Sequence, residues 1–205
     1  PPVHYHDYLK IDQLLGAQVR RSEEMGNPAH DELLFITVHQ AYELWFKQII
    51  FEIDSVLEIF SAHPIAEQKM AIASARVERI ISILKLVMGQ IDVMETMTPL
   101  DFLEFRDYLY PASGFQSVQF RLIEIKLGLK EKDRLLYNQV PFSKHLPESQ
   151  QKLVQDVMKK DSLFELIDKW LARTPFLQNK EFDFWTSYKK AVTDMFNGDR
   201  ETVRA

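Results

Sequence analysis

The sequence predicts an all-α protein, a helical bundle built on two long antiparallel helices with shorter ones around them. Three observations predict it. Apolar residues recur at spacings of three and four over long stretches, and the alternation that marks strands is rare. Only six Gly and nine Pro interrupt 205 residues, and most of them fall between the periodic stretches. No Asn-Gly or Asp-Gly pair of the kind that turns a hairpin separates two apolar runs.

The elements follow in order. Tyr8, Leu9, Ile11, Leu14, Leu15 and Val19 outline a short amphipathic helix over 7–19. The stretch SEEMGNPAHDE (22–32) reads as a polar break. A long helix over about 30–61 carries Leu34, Phe35, Val38, Ala41, Leu44, Trp45, Ile49, Ile53, Val56, Leu57 and Phe60 on its apolar side, with Glu43 and Lys47 one turn apart and able to pair. His63-Pro64 ends it. A second long helix, about 65–96, presents Ile72, Val77, Ile80, Ile81, Leu84, Val87, Ile91 and Met94, and the short connection makes the two antiparallel. Thr98-Pro99 is a helix start, Thr as cap and Pro in the first turn, for a helix reaching about Leu109 before Pro111. Ser113 to Gln116 has capping-box spacing, so a helix is expected over 114–127, closed by Gly128. Residues 129–146 look irregular. Helices over 147–160, 162–172 (Ser162 with Glu165) and 180–196 complete the chain, with Thr174-Pro175 between the last two. No repeat, low-complexity tract or domain boundary is visible, so 1–205 reads as a single all-helical domain.

Composition narrows the function classes. Lys plus Arg is 25 and Asp plus Glu 30, a formal charge of −5, and no basic run is present. That argues against nucleic acid and against an anionic membrane surface as partners. No apolar run reaches the roughly 18 residues of a membrane span, and the PPVHYHDYLK start lacks the apolar core of a secretion signal. The absence of cysteine excludes disulfides, thiolate metal sites and covalent haem attachment through C-x-x-C-H, and fits a reducing cytoplasm.

Four places could carry chemistry. His39 lies mid-helix on a largely apolar face. It is either a core histidine with a hydrogen-bond partner or a ligand, acid–base group or substrate hydrogen-bonder. Its i, i+4 spacing to Glu43 could put two ligands on one face, but Glu-x-x-His and His-Glu-x-x-His are both absent. Arg106 stands among bulky apolar residues, either snorkelling over the helix or gripping a carboxylate with its planar fork. The segment PASGFQS (111–117) allows close backbone approach at a helix start. Tyr5, Tyr8 and Leu9 either anchor the terminus or dock on another subunit.

Taken together these motifs resemble the tryptophan 2,3-dioxygenase family. The carriers are Y-x-x-Y-L (5–9), HDELLFITVHQAYELWFK (30–47), METMTPLDF (94–102), FRDYL (105–109), PASGFQS followed by Gln119-Phe120-Arg121, and WLARTP (170–175), all in the family's order. The resemblance runs from Tyr5 to about Trp185. It implies an all-helical homotetramer that holds haem b non-covalently and inserts both atoms of O2 across the indole C2–C3 bond of L-tryptophan, giving N-formylkynurenine, the first step of the kynurenine pathway. It assigns His39 to the distal side, accepting from the indole N–H rather than ligating iron. It assigns Phe35 to packing on the indole, Phe102 to the pocket wall and Arg106 to the substrate carboxylate. Ser113 and Gly114 become the segment over the haem, and Tyr5, Tyr8 and Leu9 residues that a neighbouring subunit contributes. The same resemblance puts the axial histidine, and a Gly-Thr-Gly-Gly-Ser loop for the substrate ammonium, beyond Ala205, so these 205 residues by themselves are expected to hold haem poorly. Two alternative readings are an indoleamine 2,3-dioxygenase-like enzyme of broader substrate range and a truncated, non-catalytic helical haem-binding homologue.

Overall fold

The computed structural model describes residues 2–62, 65–130, 146–172 and 183–204. Every regular element within them is helical. Residues 131–145 of the expected irregular stretch (129–146), the His63-Pro64 stop and the Thr174-Pro175 break lie outside the described residues.

Two helices dominate. α4 (Glu32–Ser61) has 30 residues and spans about 45 Å at 1.5 Å per residue. α5 (Glu67–Met94) has 28. Their pairing is antiparallel. Phe46 and Ile49 at the middle of α4 cluster with Ile80 and Ile83 at the middle of α5, while Val56 and Phe60 towards the end of α4 cluster with Ala73 near the start of α5. Ile49, Ile53 and Val56 have no exposed surface. Each contributes about 1.5–3 kcal/mol of apolar burial. Charge also crosses the same interface, where Glu52, 2% exposed, accepts from Arg79 at 2.7 Å and from Gln48 at 2.8 Å and has Arg76 at 4.0 Å. The surrounding apolar wall makes this buried carboxylate dependent on those donors.

α7 (Val118–Leu127) and α9 (Leu163–Ala172) pack directly on α4, and α8 (Glu148–Met158) packs on α7. α7 adds Ile123 to the α4–α5 core. α9 adds Leu163 and Leu166 near the far end of α4. α8 packs Val154 against Leu122 and Ile125 of α7. Gly128 ends α7 at φ 112, and a Cβ there would lie 2.8 Å from that of Phe164, so the α7–α9 approach requires glycine. α10 (Phe184–Arg204) is capped by Asp183, which accepts from the Thr186 amide and hydroxyl. It extends past the expected end at 196.

Three expectations are corrected. The helix expected over 7–19 is two five-residue helices, α1 (Tyr5–Leu9) and α2 (Ile11–Leu15), broken where Lys10 adopts a left-handed conformation at φ 53. Their apolar side chains find no core to hold a longer helix straight: Tyr8 and Leu15 are exposed. The supposed polar break overlaps α3 (Arg21–Glu24) and holds two of the most buried polar groups among the described residues. Ser22 Oγ accepts from the Ala29 amide at 2.9 Å, and Glu32 accepts from the amides of Arg21 and Ser22 at 2.7 and 2.8 Å. The Glu32 carboxylate thereby satisfies two orphan amides of the α3 N-terminus. Finally, the helix expected over 114–127 is a 3₁₀ turn (Gly114–Gln116) followed by α7. Ser113 and Ser117 each cap one of the two pieces, so the backbone turns between them. By contrast α6 (Pro99–Arg106) opens as expected, with a reciprocal capping box between Thr98 and Asp101, and runs into a 3₁₀ turn at Asp107–Leu109.

Candidate active site

The N-terminal half of α4 meets α6 through the rings of Phe35, Phe102 and Phe105. Phe35 packs on His39, one turn later, with centroids 4.1 Å apart. Phe35 also meets Phe102 at 5.7 Å and Phe105 at 5.5 Å. Phe105 is fully buried and holds α6 in place, so Phe102 and Arg106 project from a fixed base. The Arg106 guanidinium sits 5.9 Å from the Phe102 ring centroid, within cation–π range. Among the described residues it forms no ion pair with a carboxylate. Phe35, His39, Phe102 and Arg106 are therefore brought into one cluster from two helices.

The His39 ring has a defined polarity. Its Nδ1 lies 2.8 Å from the Phe35 carbonyl oxygen. A carbonyl only accepts, so Nδ1 carries the proton, and in the neutral ring Nε2 is an acceptor. Tyr42 stands edge-on to His39 at 6.3 Å and stacks on Phe46 at 6.0 Å. Burial pushes its phenol above the ordinary range, which keeps the hydroxyl neutral.

His39 looks onto a groove of about 470 Å³ between α4, α5 and the start of α7. Its walls are apolar: Tyr42, Phe46, Leu84, Val87, Met88, Ile91 and Phe120. Gly114 and Ser117 close one side. Gly114 has nothing within 4 Å of where a Cβ would stand, so its backbone is open to a ligand. Ser113 does not line the groove; its hydroxyl accepts from the Phe115 amide and shapes the turn. Tyr5, Tyr8 and Leu9 are exposed, at 71%, 75% and 41%, and lie outside the cluster within this chain. Glu43 does not pair with Lys47 as the spacing suggested. Its carboxylate takes a hydrogen bond from Gln119 at 2.8 Å instead. No group of three or more His, Asp or Glu able to hold a metal occurs among the described residues.

Sequence reasoning missed Phe105, Tyr42 and Gln119 as parts of this site. Phe105 and Gln119 were visible only as letters in the FRDYL string and after PASGFQS, and Tyr42 lies one turn from Val38 and Phe46 on the buried face of α4. Only the meeting of α4 with α6 and α7 gives them partners.

The family model for tryptophan 2,3-dioxygenase matches residues 2–204. The chain belongs to the tryptophan 2,3-dioxygenase family. A tryptophan 2,3-dioxygenase of Bdellovibrio bacteriovorus is 65% identical over 204 residues, covering 100% of this chain and 57% of the relative. Those of Alteromonas mediterranea and Dictyostelium discoideum are each 48% identical, over 98% and 99% of this chain and 56% and 51% of their own lengths. The chain thus spans about half the length of the curated tryptophan 2,3-dioxygenases it matches. No helix among the described residues is long and apolar enough to cross a membrane.

Proposed function

We propose that this chain forms the substrate side of a haem-dependent tryptophan 2,3-dioxygenase, which converts L-tryptophan and O2 to N-formylkynurenine with both oxygen atoms retained in the product. The observation that carries the reading is the His39 ring. It packs at a tilt on Phe35 and is pinned through Nδ1, so in the neutral ring its Nε2 is an acceptor beside an apolar cluster that ends in a guanidinium with no ion pair among the described residues. Tryptophan asks for those three things: a slot for the ring, an acceptor for its N–H and a fork for its carboxylate.

Each residue has a role in this reading. Phe35 and Phe102 pack on the indole and exclude water. His39 Nε2 accepts from the ring N–H, which selects the orientation of the indole. Arg106 pairs with the substrate carboxylate in two hydrogen bonds, where lysine would give a single point charge. Tyr5, Tyr8 and Leu9, exposed on their own chain, close the pocket of a neighbouring subunit in a homotetramer.

The residues present fit a haem on the same side. The groove beside His39 offers the aromatic and aliphatic surface that a flat apolar macrocycle needs, and the exposed backbone at Gly114 allows close approach. Met88, Ile91 and Phe120 are 68%, 50% and 40% exposed, apolar surface that a bound group would cover. Haem, when bound, supplies the binding and activation of O2. With His39 turned to the substrate, no described residue is assigned as the iron ligand. The cytoplasm is the proposed compartment.

The test is Arg106→Ala in the full gene product. A hydrogen bond to a charged group is worth about 1.5–3 kcal/mol, so the loss of even one of the two should raise KM for L-tryptophan roughly 10- to 140-fold. An unchanged KM makes Arg106 a structural residue and removes the carboxylate fork from the reading.

A further inference from the structure

The groove beside His39 is formed by segments far apart in sequence, and something must fix α4 against the turn that precedes α7. Apolar packing of Phe46 on Phe120 and of Ile123 into the α4–α5 core brings them together, and one polar side chain adds a directional link between them. Gln119, in the first turn of α7, donates through Nε2 to the backbone carbonyl of Glu43 and to its carboxylate, both at 2.8 Å. Glu43 lies one helical turn after His39, and both border the groove. Gln119 follows Ser117, whose hydroxyl accepts from the Phe120 amide to start α7, and Gly114 lies three residues before that. A single partly buried amide therefore joins the His39 turn of α4 to the Gly114–Ser117 turn.

We propose that Gln119 is a positioning residue for His39: by holding both the carbonyl and the carboxylate of Glu43, it fixes the His39 turn of α4 against the Gly114–Ser117 turn and so sets where the Nε2 acceptor stands over a bound substrate. The inference rests on the reading of His39 as the acceptor for the ring N–H. A glutamine suits the task because both Nε2 hydrogens are used and no net charge is added beside the apolar groove. Glu43 has two acceptors in reach of one donor group, so the bridge resists both sliding and rotation of the helix. Loss of the amide leaves the Glu43 carboxylate without this partner, and α4 can then shift relative to the turn. A displacement well under the length of a hydrogen bond is enough to weaken a directional contact.

The test uses two ligands that differ at one atom. Dissociation constants for L-tryptophan and for benzothienylalanine, in which sulfur replaces the ring N–H, are measured on the cofactor-loaded full gene product. A neutral hydrogen bond of about 0.5–1.5 kcal/mol corresponds to a preference for tryptophan of roughly 2- to 12-fold. In Gln119→Leu that ratio should collapse towards one, while the affinity for the sulfur analogue changes less than about twofold, within the usual scatter of a distant substitution. Glu43→Gln retains an acceptor and should keep the preference. Glu43→Ala retains only the carbonyl and should give an intermediate ratio; it carries the test if Gln119→Leu does not fold. An unchanged ratio in Gln119→Leu, or equal loss of affinity for both ligands, overturns the positioning role. A wild-type protein that shows no preference between the two ligands overturns the acceptor reading of His39 instead.

Discussion

Replacing Glu32 by Gln should loosen the start of α4 specifically. Glu32 is 1% exposed and both its oxygens accept backbone amides, from Arg21 at 2.7 Å and Ser22 at 2.8 Å. Glutamine has nearly the same shape but only one acceptor. Its NH2 must face one of the two amides, donor against donor. The loss is one charge-assisted hydrogen bond plus an amide left buried without a partner, together about 2–4 kcal/mol. At Ser22 solvent does not rescue it, because that residue is fully buried. The affected unit is the 21–32 segment, which ties the N-terminal arm to the helix bearing Phe35 and His39. Hydrogen exchange in the full gene product reads the effect directly. The Arg21 and Ser22 amides should exchange roughly 30- to 700-fold faster, since each 1.4 kcal/mol is tenfold. Amides in the middle of α4 should change far less. Unaltered exchange at Arg21 and Ser22 would refute the reasoning, because it would mean those two amides owe their protection to something other than Glu32.

Two further outcomes follow from the packing and the caps. Ile53→Ala removes a side chain with no exposed surface from the α4–α5–α7 core and should lower unfolding free energy by about 2–5 kcal/mol, measured by denaturant titration; a loss under 1 kcal/mol would mean that the core collapses around the gap. Ser162 and Glu165 form a capping box at α9. Hydrogen bonds from the Ser162 amide and hydroxyl hold the Glu165 carboxyl below its usual range, so the stabilisation is present above the unfolded value of about 4.3 and is lost as pH falls through the lower folded value. Ser162→Ala removes the hydroxyl bond and keeps the amide one, so it should cost about 0.5–2 kcal/mol near neutral pH and reduce that acid limb of the stability profile without abolishing it; an unchanged limb would mean that the hydroxyl carries none of it.

Periodicity made the helical class, the two long helices and the Thr98 and Ser162 starts legible, since apolar spacing and caps act within a few residues of one another. The same local logic failed at 7–19, because amphipathic spacing forms a helix only where a core receives it. It failed at 114–127, because two successive serine caps compete to start a helix. It also failed at Glu32, whose partners come from a separate turn.

By itself the sequence determined which residues are chemically able to act: a histidine on an apolar face, an arginine among aromatics, a glycine turn and the ordered strings that resemble one enzyme family. Those are properties of residue type and near spacing. Only the tertiary structure decided which of them share a site. Phe35, packed on His39, reaches Phe102 and through it Arg106 because α4 meets α6, and Gln119 reaches Glu43 across 76 positions because α7 packs on α4. The physical reason is that hydrogen bonds and ring contacts act over a few ångströms, and the chain brings distant residues that close only when its apolar faces are buried together.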